Sequence, residues 1–126
     1  MIKRILIPDI LQPVSHYCHA VEANGIIWVS GLVGMNKDGT IPENTKDQFD
    51  IAMKDLNTCI EAAGGSYKDV VKVRVFLTNI DDRTIINPKR IEYFGEHKPA
   101  STLLEVSALV DPRMKVEIEA EAVIVK

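Results

Sequence analysis

Lys115-Val116-Glu117-Ile118-Glu119-Ala120-Glu121-Ala122-Val123-Ile124-Val125 runs almost to the end of the chain with strict period-two alternation. Successive side chains of a strand point to opposite faces of its sheet. Val116, Ile118, Ala120, Ala122 and Ile124 therefore share one face, and Glu117, Glu119, Glu121, Val123 and Val125 share the other. Such a strand is half-buried, with its small apolar face on a core. Val70 to Leu77 reads as a neighbouring strand, with Val71, Val73, Val75 and Leu77 on one face and Lys72, Arg74 and Phe76 on the other. Gly25-Ile26-Ile27-Trp28-Val29-Ser30-Gly31 is a β-branched run between glycines and reads as a buried strand. Asn24-Gly25 before it is a two-residue hairpin signal, which puts a partner strand at about Tyr17 to Ala23. Shorter strands are expected at Lys3 to Ile7 and Leu103 to Val106.

Two helices separate these strands. Thr45 fits an N-cap with Gln48 three residues on, the pattern of a capping box. Phe49, Ala52, Met53, Leu56, Ile60 and Ala63 then form one apolar stripe at helical spacing, and Gly64-Gly65 stops the helix. Asn87-Pro88 reads as a second helix start, cap then first-turn proline, ending near Gly95. About six strands and two helices in this order make an α+β domain spanning residues 1–126. Two helices cover one face of such a sheet. The other still carries Phe76, Val123 and Val125 beside its charges, and a half-apolar open face needs a partner. Oligomerisation through that face is expected.

Composition narrows the function. The 126 residues hold 18 acids against 15 Lys and Arg, a net charge of −3, which speaks against a general nucleic-acid binder. No apolar run reaches the roughly 20 residues a membrane helix needs. The N-terminus MIKRILIPDI is cut by Pro8-Asp9 before it could act as a signal peptide. The two cysteines, Cys18 and Cys59, show no disulfide spacing. A cytoplasmic protein with free thiols, without contact to membrane or nucleic acid, is the expectation.

Candidate chemistry is sparse. Glu117, Glu119 and Glu121 stand about 6.6 Å apart along one strand face and repel unless cations attend them. A cross-strand ladder with Lys72 and Arg74 answers for Glu119 and Glu121. A glutamate lining a pocket instead would be desolvated and serve as acid or base. His16, Cys18 and His19 hint at a metal or an activated thiol, but strand alternation separates neighbours and no second ligand cluster exists, so no metal is expected. There is no phosphate loop, dinucleotide fingerprint or Gly-x-Ser-x-Gly elbow.

Pro99-Ala100-Ser101-Thr102-Leu103-Leu104-Glu105-Val106, followed by Lys115-Val116-Glu117-Ile118-Glu119-Ala120, resembles the C-terminal signature of the Rid family of reactive intermediate deaminases, also called YjgF-like proteins. Val29-Ser30-Gly31, Glu61-Ala62-Ala63-Gly64 and Asp69 to Leu77 are similar to family segments in family order, so nearly the whole chain is covered. The resemblance implies a six-stranded mixed sheet with two helices on one face, a chorismate-mutase-like fold, assembled as a homotrimer with clefts between subunits. It implies hydrolysis of enamines and imines to keto compounds and ammonia, for example of 2-aminoacrylate released by pyridoxal-phosphate enzymes, with no metal or cofactor. It also implies site positions. Tyr17 matches a cleft tyrosine, Ser30 and Gly31 a strand end whose backbone lines the cleft, Asn87 a helix-start residue near it, and Glu117 the glutamate that holds or activates water.

One position departs from that pattern. Where the deaminase branch has an arginine after Pro-Ala, to clamp the substrate carboxylate bidentately, this chain has Ser101. Leu103 likewise stands where some members have cysteine. Ser101 with Thr102 would offer neutral hydrogen bonds instead. Pro-Ala-Ser-Thr-Leu with the upstream Asn-Pro is similar to members acting on larger unsaturated enamines such as 2-aminomuconate, whose second carboxylate Arg83, Arg90 or Lys98 could meet. A protein that keeps the cleft as a small-ligand binder without catalysis is the other alternative. The ribonuclease label used for some relatives fits poorly with an acidic chain lacking a His pair or Lys cluster.

Overall fold

The computed structural model describes residues 1–125. Six strands, β1 (Lys3–Ile5), β2 (Ala20–Ala23), β3 (Ile26–Val33), β4 (Val70–Leu77), β5 (Ala100–Glu105) and β6 (Val116–Val123), form one sheet in the order β1-β2-β3-β6-β4-β5. All neighbours are antiparallel except β4 and β5, so the sheet is mixed. The closing strand of the sequence thus lies near the middle of the sheet, which is why its core-facing Val116, Ile118, Ala120 and Ala122 are fully buried. Asn24 and Gly25 both have positive φ, at 52° and 83°, and form the two-residue turn that joins β2 to β3.

Helix α1 (Thr45–Ala62) lies over β3 and β6, and α2 (Arg83–Phe94) packs beside it on the same face. Phe49, Ala52, Met53, Leu56, Cys59 and Ile60 of α1 are buried against the sheet. Each large side chain among them contributes about 1.5–3 kcal/mol by leaving water.

Two strand starts differ from the sequence-based expectations, since β2 begins at Ala20 rather than near Tyr17 and β5 at Ala100 rather than Leu103, and three further details differ as well. The α1 cap is Asn44, whose side chain accepts from Asp47 N at 2.8 Å. Thr45 is the first helical residue, and its hydroxyl donates to the Asp82 carboxylate at 2.6 Å, tying together the starts of both helices. Gln48 is thereby free to turn inward. Its amide nitrogen donates to the carbonyls of Pro42 and Arg113, and its oxygen accepts from Lys115 N at 2.8 Å. Asn ranks above Thr as a cap, but the Thr45 and Gln48 spacing mimics a capping box and moves the sequence-based start one residue late.

The second difference is Asn87, which is not a helix cap. A 3-10 turn at Ile80–Asp82 feeds α2 directly at Arg83, so Asn87-Pro88 lies inside the helix. Buried Ile86 and Phe94 anchor this helix on either side of the proline, which offsets the hydrogen bond that Pro88 cannot make.

The third is Val71. A bulge between Val70 and Lys72 shifts the parity of β4, so Val70 points into the core and Val71 is 46% exposed on the other face. That open face also carries Ile26, Trp28, Val123 and Leu104, all exposed.

Candidate functional site

A second bulge builds the site. Val29 pairs with Ala120 and Leu32 with Ile118, so Ser30 and Gly31 together oppose Glu119. Such an extra residue bends a strand and re-aims its side chains. Beside the bulge, Glu117 pairs with Val33 on one side and Phe76 on the other. Its carboxylate occupies the space where a side chain at Gly31 would begin, with Cδ 2.9 Å from that Cβ position. Glycine at 31 is therefore what lets the carboxylate lie against the backbone of β3.

Electrostatics single out Glu117 from its two neighbours. Arg74 donates to Glu121 at 3.0 Å and lies 3.8 Å from Glu119. Lys72, opposite Glu121, instead donates to the Thr102 hydroxyl at 3.0 Å. Among the described residues no cation or donor attends Glu117. Burial, with the nearby Glu119 charge adding to it, pushes its carboxyl above the ordinary glutamate range. The ladder expected from alternation thus forms through Arg74 alone, Lys72 turning instead to Thr102, and Glu117 is the desolvated member.

Glu117, Gly31, Ser30 and Tyr17 line one concavity of about 70 Å³, walled in part by Val14 and Val110. The segment after β1 carries Tyr17 there. His19 holds that segment: its Nδ1 accepts from Ile7 N at 2.9 Å, so its Nε2 carries the hydrogen donated to the Leu11 carbonyl at 2.8 Å. Gln12 adds bonds to the Ile7 and Ile10 carbonyls. The Ser30 hydroxyl donates to the Cys18 carbonyl at 2.7 Å, fixing the residue next to Tyr17. Tyr17 itself is 46% exposed, so its ring is available to a ligand.

Histidine 19 is buried with both nitrogens committed to backbone, and among the described residues no three His, Cys, Asp or Glu side chains converge as metal ligands. Cys59 is buried, and its thiol is pushed up to about 12 by that burial. No described helix is long and apolar enough to cross a membrane.

Asn87, Ser101 and Thr102 lie elsewhere on the chain. Ser101 pairs with the core-facing Val73, and Thr102 with Arg74 of the opposite face, so the two hydroxyls point to opposite sides of β5. Thr102 accepts from Lys72; Ser101 accepts from Arg90 Nη2 at 2.7 Å. Arg90 and Asn87 line one groove on α2. Two features escaped the sequence reading: the space that Gly31 leaves for Glu117, and the Arg90–Ser101 bond. A glycine inside a strand pattern was the available signal for the first.

The family model described as Endoribonuclease L-PSP matches residues 8–124. The chain belongs to the Rid, or YjgF-like, family. Among its Rid relatives, a RutC family protein of Pyrococcus horikoshii is 37% identical over 113 residues, 88% of this chain and 89% of that protein. A 2-iminobutanoate/2-iminopropanoate deaminase of Dermatophagoides farinae is 33% identical over 125 residues, 97% of each chain. The Rid fold is equally plain in three dimensions: the crystal structure of E. coli TdcF with bound serine superposes with a TM-score of 0.91 at 28% identity, covering 98% of this chain and 99% of that one.

Proposed function

We propose that this chain hydrolyses reactive enamines and imines to keto compounds and ammonia, without metal or cofactor, as a homotrimer whose clefts lie between subunits. The observation that carries the proposal is the half-buried Glu117 carboxylate, unpaired and set against Gly31 in a concavity lined by Tyr17. A carboxyl held above its ordinary range takes and returns protons more readily near neutral pH than a solvated one. The deaminase names of relatives such as the D. farinae protein support the same chemistry.

In the proposed sequence a proton from solvent adds to the enamine carbon, giving the iminium. Glu117 takes a proton from water as the oxygen attacks the iminium carbon, giving a neutral carbinolamine. Glu117 returns that proton to the nitrogen, the C–N bond breaks as the oxygen lone pair forms the carbonyl, and the hydroxyl proton passes to the departing ammonia, which leaves as ammonium. Tyr17 packs on the substrate, and the Ser30-Gly31 bulge shapes the cleft wall. Asn87, Ser101 and Thr102 line the cleft from the neighbouring subunit. The exposed Ile26, Trp28, Val71 and Val123 support the assembly, since an open sheet face this apolar is stabilised by a partner.

The test is ammonia release from freshly generated enamines, both small ones and larger unsaturated dicarboxylates. Glu117→Gln is expected to slow it roughly 10²–10⁴-fold. Equal rates would overturn the role of Glu117. Tight binding without ammonia from any enamine would favour a non-catalytic ligand binder.

A further inference from the structure

The buried polar side chains among the described residues are His19, Thr45, Gln48 and Asp55. The first three are satisfied by hydrogen bonds. Asp55 of α1 is only 9% exposed, yet among the described residues its carboxylate has neither a hydrogen bond nor an ion pair. Its oxygens are not sealed, because every sealed side-chain oxygen in the described structure has a partner. The two concavities that Asp55 lines show where they reach open space. One is the cavity of Glu117, Gly31 and Tyr17. The other is an outer groove of about 380 Å³, rimmed by Asp9, Asn36, Lys37, Lys54 and Thr58. Leu11 is the other residue common to both, so Asp55 is the one ionisable group in their shared wall.

We infer that Asp55 is a proton relay, passing solvent protons from the outer groove into the cavity and on to the enamine carbon. This rests on the deaminase function proposed above, whose two steps need opposite groups. Protonating carbon needs an acid, and hydrating the iminium needs Glu117 as a base. Two carboxyls in different surroundings divide such roles. Asp55 takes a proton from the groove, and its O–H gives that proton through water in the cavity to the enamine carbon. The C=C electron pair forms the new C–H bond, the nitrogen lone pair forms the C=N bond of the iminium, and the Asp55 carboxylate reloads from the groove. The cavity, about 70 Å³, has room for several waters at roughly 10–15 Å³ each. The titratable and charged groups around Asp55 are Lys54 and Cys59 on α1, His19, Glu117 across the cavity, and Asp9 and Lys37 across the groove. Burial outweighs the opposing charge of Lys54 and pushes the Asp55 carboxyl up to about 6, a value suited to handing protons over near neutral pH.

Two freshly generated substrates isolate the relayed step. 2-Aminoacrylate needs a proton on carbon before water can add. The imine of glyoxylate has no enamine form and needs only the water. Asp55→Asn is expected to slow ammonia release from 2-aminoacrylate roughly 10²-fold, and by about tenfold or more beyond its effect on the imine. Wild-type turnover of the enamine, above the uncatalysed rate, should fall as pH rises through about 6, and Asp55→Asn should lose that limb. Urea unfolding at pH 7.5 checks that the variant is at least as stable as the wild type, which separates a lost relay from a damaged fold. Equal slowing of both substrates, or an unchanged enamine rate, overturns the relay and leaves the deaminase function standing. If the wild type acts on the enamine alone, the pH limb decides, and a limb retained by Asp55→Asn overturns the relay. A wild type silent on both substrates overturns the deaminase function and the relay with it.

Discussion

Gly31→Ala tests how far the site depends on a missing methyl group. The φ of Gly31 lies outside the left-handed region, so alanine fits the backbone and the whole effect comes from the added Cβ. That Cβ would stand 2.9 Å from Glu117 Cδ and 3.3 Å from its Cγ, with Oε2 closer still. Ordinary contacts between such atoms are roughly 3.5–4.0 Å, so the carboxylate must retreat by about 1 Å. The atoms displaced are the end of a flexible side chain beside a cavity, and the stability cost belongs at the low end of overpacking, about 1 kcal/mol. Catalysis has no such slack. Misplacing a reacting group by about 1 Å costs roughly 10²-fold in rate, or about 2.7 kcal/mol of barrier. Urea unfolding and ammonia release on the same preparation should therefore diverge, with a small shift in midpoint and a large loss of kcat. A double-mutant cycle sharpens the test. If Gly31 acts by placing the Glu117 carboxylate, Gly31→Ala with Glu117→Gln is no slower than Glu117→Gln alone. Multiplying losses, or a well-folded Gly31→Ala enzyme with unchanged kcat, would refute the reasoning.

Three further outcomes follow from the packing. Burial pushes the Asp55 carboxyl up to about 6 from 3.8, so the native state holds a proton that the unfolded chain releases. The stability this gives is complete below about pH 4 and lost as pH rises through 6. About two pK steps bound it near 3 kcal/mol. Asp55→Asn should accordingly unfold at higher urea than wild type at pH 7.5, with the gain gone at pH 4; equal midpoints at both would contradict it. Gln48→Leu leaves the Pro42 and Arg113 carbonyls and the Lys115 N–H without their partner, which should lower stability by about 3 kcal/mol or more by urea unfolding. Trp28→Glu places a charge on the exposed apolar sheet face, and sedimentation at micromolar concentration should show a trimer for wild type and smaller species for the variant; a monomeric wild type removes the proposed assembly.

Much of the fold is legible because periodicity and burial agree along most of the chain. The alternation of 116–122 and the stripe from Phe49 to Ile60 each match what is buried. The misreadings have local causes. At the start of α1, Asn44 is the better cap, and the Thr45 hydroxyl is taken by Asp82, a partner distant in sequence that the capping-box spacing does not reveal. At Asn87-Pro88 a good start signal lay inside a helix already begun, held by the burial of Ile86 and Phe94. At Val71 a bulge inserted one residue into the count. Period-two arithmetic cannot see a bulge, because nothing in a valine run marks which member is extra.

The two bulges that defeat alternation both flank β6, and each moves something into position. At Ser30-Gly31 the extra residue brings a backbone without a side chain beside Glu117, so a carboxylate can lie there unpaired. At Val71 the extra residue carries a valine from the core to the open face, where it adds to Trp28 and Ile26. Without the first, a side chain at position 31 would meet the Glu117 carboxylate; without the second, Val71 would keep the core-facing parity that alternation assigns it. At Ser101 the exchange is of another kind. Its exposed hydroxyl accepts from Arg90 Nη2 at 2.7 Å, so the position where the deaminase branch carries its own arginine is contacted here by a guanidinium delivered from α2.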